Sequence, residues 1–262
     1  MLTGTAAGVP YVVLPPATAR PEAPVVVGWH LLDPPRTPEA FAAALPLEGL
    51  DAWRVFLGLP LSGSRMPAGG FEQVLRLAAR DVIAELHGRI ALEALAEFPA
   101  AFAAIRTRLG LGDGPVALLG GSMGAMVAQL VAASGALDVR ALALVSPLVD
   151  LRATLPFIAE ALGIEVRWTP ENEATADRMD FVRRAGELAG LPLLVVTGDE
   201  DVPVFLDVVA AQAGRLPGAR QERIAGMGHA LADEPGTGPA PQTPHAAQVD
   251  AVVTAFLREH LS

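Results

Sequence analysis

Gly120-Gly121-Ser122-Met123-Gly124 lies between two segments of opposite character. Residues 116–119 ahead of it are wholly apolar and read as a short buried strand. Residues 125–133 after it read as a helix. The serine therefore falls on a sharp strand-to-helix turn, which tolerates only small neighbours because its backbone is strained and the helix packs close. Such a turn lifts the hydroxyl off the sheet edge. It also aims the free N–H groups of the helix, and the positive end of its dipole, at whatever binds there. The plainer alternative is a glycine-rich turn whose serine only caps the helix.

The rest of the chain repeats the strand-then-helix rhythm. Apolar, β-branched runs fall at 9–14, 24–30, 52–57, 139–145, 191–197 and 221–224. Helical stretches are expected from 37, over 71–87 and 98–109, over 204–214, and from 244 to the end. Within 71–87, Leu75, Ala79, Val82 and Leu86 form the expected inward stripe. Residues 150–190 break the rhythm: they are polar, largely helical, and longer than a crossover needs. Strands alternating with helices predict an α/β chain with a mostly parallel sheet covered on both faces. Ligands bind such sheets beyond the carboxyl ends of the strands, so the partners of Ser122 should also follow strands.

A serine hydroxyl is a poor nucleophile at neutral pH and needs a base, which in turn needs an orienting acid. Two segments offer them. Gly198-Asp199-Glu200-Asp201-Val202-Pro203 sets three carboxylates directly after a strand. Asp201 is the expected acid and Asp199 its rival; an acidic helix N-terminus favoured by the dipole is the plainer reading. Gly226-Met227-Gly228-His229 follows the last strand, with glycines that let the loop bend back over the sheet edge. Of the other histidines, His87 and His260 lie on helices, where a solvent-facing ring is the ordinary case, and His245 begins the last helix. His30 follows a strand ahead of Ser122 and is placed beside the anion site.

Together these landmarks, in the order Ser122, Asp201, His229, make the chain resemble the α/β-hydrolase superfamily over its whole length. The resemblance implies an α/β-hydrolase fold: a mostly parallel eight-stranded sheet with an antiparallel edge, helices on both faces and a short helical cap. The core would comprise 1–149 and 191–262, and the cap 150–190. It implies Ser122 as nucleophile, His229 as base, Asp201 as orienter, and no cofactor or metal. The backbone N–H of Met123 would hold the oxyanion with that of Leu31, or of Leu32 if the register is off by one. The family often has glycine after the histidine of Gly28-Trp29-His30; here Leu31 stands there.

The implied reaction is acyl transfer from a small to medium, largely apolar ester, with the chain acting as a carboxylesterase or thioesterase. A peptidase or amidase, or a non-catalytic small-molecule binder, are the alternatives. His30, Phe157, Ile158 and Trp168 are the expected substrate-binding residues, although cap-to-body packing explains an apolar stripe equally well. Met66 could reach the mouth, and Arg65 reads as a solvated loop charge.

The bulk numbers exclude more than they specify. A net charge of -10 with no basic stripe argues against a nucleic-acid partner. The chain has no cysteine, hence no disulfide framework, which suits a reducing, cytoplasmic setting. No signal peptide is expected at the N-terminus, and no apolar run is long enough for a membrane span. If the chain forms a homo-oligomer, the last helix and the cap are the expected contact surfaces.

Overall fold

The computed structural model describes residues 1–261. Eight strands form one sheet: β1 Leu2–Ala6, β2 Val9–Leu14, β3 Val25–Trp29, β4 Trp53–Leu57, β5 Val116–Gly121, β6 Val139–Val145, β7 Leu193–Gly198 and β8 Arg220–Ile224. Their spatial order is β1-β2-β4-β3-β5-β6-β7-β8. From β4 onward every neighbour is parallel; β2 runs antiparallel to both β1 and β4. The expected mostly parallel sheet with an antiparallel edge is thus present.

The central strands are buried along their whole length, and alternate residues serve two cores. Val25, Val27, Trp29, Leu118, Leu142 and Leu144 face one side. There they meet α3 (Gly88–Leu109), α4 (Met123–Ala133) and α7 (Pro203–Ala213). Val26, Ala117, Leu119, Ala141, Ala143 and Val145 face the other, against α1 (Pro38–Ala44) and α8 (Pro244–Leu261). Start signals behave as their chemistry requires. The Thr37 side chain accepts from the Ala40 N–H, with Pro38 at the first helical position.

Three departures from the sequence reading have local causes. Residues 2–6 add an edge strand, paired through a hairpin in which Ala7 and Gly8 both have positive φ. Only one of them is glycine, so the turn carries little signature. The helix expected over 71–87 ends early, as α2 (Gly70–Arg80), because Asp81 adopts extended backbone. Asp81 then caps a single π-helical turn, Val82–His87, that leads into α3. The break shifts the phase of the stripe. Val74, Leu77 and Ala78 face inward, whereas Leu75 and Ala79 are exposed. Finally, α3 begins ten residues before the expected 98 and runs through Pro99.

Between β6 and β7 the chain inserts α5 (Leu151–Leu162) and α6 (Pro170–Arg178). Asp150 and Thr169 cap them. They form the short helical addition to the sheet. No described helix is long and apolar enough to cross a membrane.

Candidate active site

The turn after β5 carries the strain anticipated for it. Ser122 has φ 47° and ψ -111°, a conformation that a non-glycine residue holds only when its surroundings enforce it. Those surroundings leave no space beside it. A Cβ on Gly120 would sit 2.4 Å from the Ala125 Cα, and one on Gly124 would sit 2.2 Å from the Trp29 carbonyl oxygen. The two glycines let α4 start directly over the ends of β5 and β3.

Loops from two further strands meet Ser122 there. His229, beyond β8, lies with Nε2 2.8 Å from Ser122 Oγ. Its Nδ1 lies 3.0 Å from both carboxylate oxygens of Asp201, beyond β7. A carboxylate can only accept, so Nδ1 carries the proton and Nε2 presents its lone pair to the serine hydroxyl. Asp201 is buried, and its Oδ1 also accepts from the Val202 N–H. Asp199 points elsewhere. Its Oδ1 accepts from the Gly226 N–H at 2.6 Å, holding the histidine loop down.

Two forces set the proton affinity of His229. Burial disfavours the imidazolium, but the Asp201 hydrogen bond and charge, with a smaller contribution from Asp33, outweigh it and raise the pKa above the usual imidazole value. Asp33 Oδ2 lies 3.8 Å from Nε2. Phe205, from the first turn of α7, packs against the imidazole with ring centroids 5.1 Å apart.

A cavity of about 710 Å³ opens over Ser122 and His229. One wall is Val74 and Ala78 of α2 with Leu86, His87 and Ile90. Phe157, Ile158, Ala161 and Leu162 of α5, with Phe205, complete the apolar lining. Phe71, 62% exposed, stands at its apolar lip. Leu32, Asp33, Arg36 and Ser62 line a more polar side.

Of the four residues expected to bind substrate, Phe157 and Ile158 line the cavity. Trp168 does not: it is 41% exposed outside, beneath the Arg152 guanidinium, 4.7 Å from its ring centre. It lies beyond the end of α5, and of residues 150–190 only α5 lines the cavity. His30 is also absent from the lining. It is fully buried, with Nδ1–H donating to the Leu31 carbonyl at 2.6 Å and Nε2 accepting from the Leu59 N–H at 3.1 Å. Burial lowers its pKa to about 4, so the ring is a neutral clip between the loops after β3 and β4. The Leu31 side chain is sealed over Gly121. Arg65 is no solvated charge: it makes a two-armed pair with Glu97 and donates to the Gly58 carbonyl, while Met66 lines the cavity.

The sequence reading passed over Asp33, Phe205, the α2 wall and His87. Only Asp33 had a usable signal, as a carboxylate immediately after the anticipated anion loop.

No protein-family model and no curated protein matches the chain. Solved structures do match. TT1662 from Thermus thermophilus superposes with a TM-score of 0.68 at 22% identity, covering 100% of this chain and 99% of that one. Est1E from Butyrivibrio proteoclasticus, in a structure with ferulic acid bound, gives 0.65 at 15% identity, covering 99% of both. A puromycin-hydrolyzing peptidase from Mycobacterium tuberculosis gives 0.64 at 18% identity, covering 100% of this chain but 39% of that one. Similarity in shape along the full length joins the strained Ser122 turn and its His229 and Asp201 partners: the chain has the α/β-hydrolase fold and carries a serine hydrolase triad at the carboxyl edge of its sheet.

Proposed function

We propose that the protein hydrolyses esters, as a carboxylesterase or thioesterase, through an acyl-enzyme on Ser122. His229 Nε2 takes the hydroxyl proton as Oγ attacks the acyl carbonyl. The imidazolium then gives that proton to the leaving alcohol or thiol. Water, activated the same way, releases the acid and restores the serine. Asp201 fixes the imidazole tautomer and stabilises its charge without taking the proton itself.

The oxyanion is held by the N–H groups of Met123 and Leu32. Met123 follows the nucleophile at the start of α4, the position from which this fold donates. Leu32 is favoured over Leu31 by the peptide joining them. Its carbonyl is turned onto His30, and in a trans peptide the N–H points the opposite way. Leu32 also lines the cavity, and Leu31 does not. His30 thus acts through the loop backbone.

Residues 150–190 serve as the cap, with α5 as the part that meets substrate. The observation carrying the ester reading is the triad opening into a cavity whose walls are largely apolar. Such walls suit an acyl or aryl group better than an extended peptide, which needs partners for its backbone. A peptidase or amidase remains the second reading, favoured by the hydrolyzing peptidase among the similar structures. Matched p-nitrophenyl butyrate and p-nitrobutyranilide decide between them. The ester should turn over and the anilide should not, and Ser122→Ala should remove at least about 10³ of the turnover. Preference for the anilide would reverse the assignment. Undiminished turnover by Ser122→Ala would end it.

A further inference from the structure

One imidazole in the cavity wall has no part in this chemistry. His87 closes the π-helical turn Val82–His87 and is only 5% exposed. Its Nδ1 lies 3.2 Å from the Val82 carbonyl oxygen. A carbonyl can only accept, so Nδ1 carries the proton and the unprotonated nitrogen of the neutral ring is Nε2. The one hydrogen bond of the ring among the described residues is that at Nδ1, so Nε2 has no donor there. Since Nδ1 is tied back to the helix and the ring lines the cavity, Nε2 is the edge presented to an occupant. Desolvation lowers the ring's pKa, which keeps that acceptor free of a proton.

The turn is braced to hold this position. Asp81 Oδ1 accepts from the N–H groups of Ile83 and Ala84, while its Oδ2 accepts from the side-chain amide of Asn172 in α6. A Cβ on Gly88 would sit 2.6 Å from Thr175 Cγ2, so α6 rests directly on the end of the turn. The helix pair inserted after β6 therefore divides its work. α5 lines the cavity, and α6 locks the segment that aims His87. π-turns of this kind recur at functional positions.

We infer that His87 is a specificity residue whose Nε2 accepts a hydrogen bond from a hydroxyl carried on the apolar part of the substrate. This rests on the ester-hydrolase reading for the site but concerns binding alone. Val74, Ala78, Leu86 and Ile90 line the same cavity with hydrocarbon. A purely apolar group seated there strips water from the acceptor and leaves it unsatisfied, whereas a hydroxyl-bearing group satisfies it. The substrate class is an ester of mainly hydrocarbon or aryl character bearing one neutral hydroxyl away from the scissile bond.

The test uses Ser122→Ala protein, which binds without turnover, titrated with ethyl phenylpropanoate and its ortho-, meta- and para-hydroxyphenyl counterparts. At least one hydroxylated isomer should bind about tenfold more tightly than the parent. Adding His87→Phe should collapse that ratio to about one. His87→Gln, whose amide oxygen is again an acceptor, should restore part of it. Affinities that do not distinguish the isomers from the parent overturn the inference without any histidine variant. So does a preference that survives His87→Phe. If wild-type protein cleaves no ester while the Ser122→Ala protein keeps the hydroxyl preference, the hydrolase reading fails and the role of His87 stands.

Discussion

Replacing Asp201 by asparagine tests the triad at its most buried point. Both Asp201 oxygens lie 3.0 Å from His229 Nδ1, and the carboxylate side chain is almost entirely sealed from solvent. A unit charge pair at that distance, with an effective dielectric of about 20, is worth about 5 kcal/mol. The imidazole is neutral before Ser122 attacks and positive in the transition state, so most of that stabilisation acts on the barrier. Its loss predicts a fall in kcat of about 10⁴. Asparagine can also turn its NH₂ toward Nδ1, favouring the tautomer with the proton on Nε2 and leaving no base for the serine. The assay is p-nitrophenyl butyrate turnover under saturating substrate, with circular dichroism to confirm folding. Asp199→Asn is the companion variant. It removes a carboxylate from the same turn, but one bonded to the Gly226 N–H, and its loss should stay within about tenfold. Equal effects from the two substitutions, or less than a tenfold loss from Asp201→Asn, would refute the assignment of the acid.

Further outcomes follow from the same geometry. Activity requires neutral His229, whose pKa is raised, so kcat/KM should fall with decreasing pH through a midpoint above 6.5; Asp33→Asn, which removes one of the raising charges, should move that midpoint down. An unmoved midpoint would show that Asp33 does not act on the imidazole. Gly124→Ala places a methyl 2.2 Å from the Trp29 carbonyl oxygen and 2.5 Å from that of His30, so urea denaturation should show a loss of about 3 kcal/mol. Asn172→Ala removes donors from Asp81 Oδ2 and the Arg167 carbonyl, both at 2.8 Å, and should cost about 1–3 kcal/mol in the same experiment. A wild-type denaturation curve for either variant would contradict the packing described.

What could be read from the chain was whatever has a local cause. The glycines around Ser122 announce a turn that only small residues can make. A carboxylate or a histidine just after an apolar run falls at the sheet edge wherever the sheet is parallel. Thr37-Pro38 marks a helix start by itself. What escaped depends on residues distant in sequence. Asp81 caps Ile83 and Ala84 locally, but its second carboxylate oxygen is held by Asn172 from across the fold, and no local pattern shows that hold. With the helix taken as continuous, the stripe placed Leu75 inside, and His87 read as an ordinary solvent-facing helix histidine; Leu75 is exposed and His87 is buried. Trp168 was placed in the cavity because residues 150–190 were expected to cover the site, and that expectation cannot show that α5 ends at Leu162, before reaching it. His30 has the position of a site residue, yet its two ring nitrogens are spent on Leu31 and Leu59.

Ser122 must be the group that reacts, and every step of the chemistry depends on it. Intact-mass analysis after treatment with a fluorophosphonate, followed by peptide mapping, measures that directly. One adduct per chain is expected, located on Ser122, absent from Ser122→Ala and formed far more slowly by His229→Ala. A chain that stays unlabelled under prolonged exposure, or a label that persists in Ser122→Ala, would contradict it.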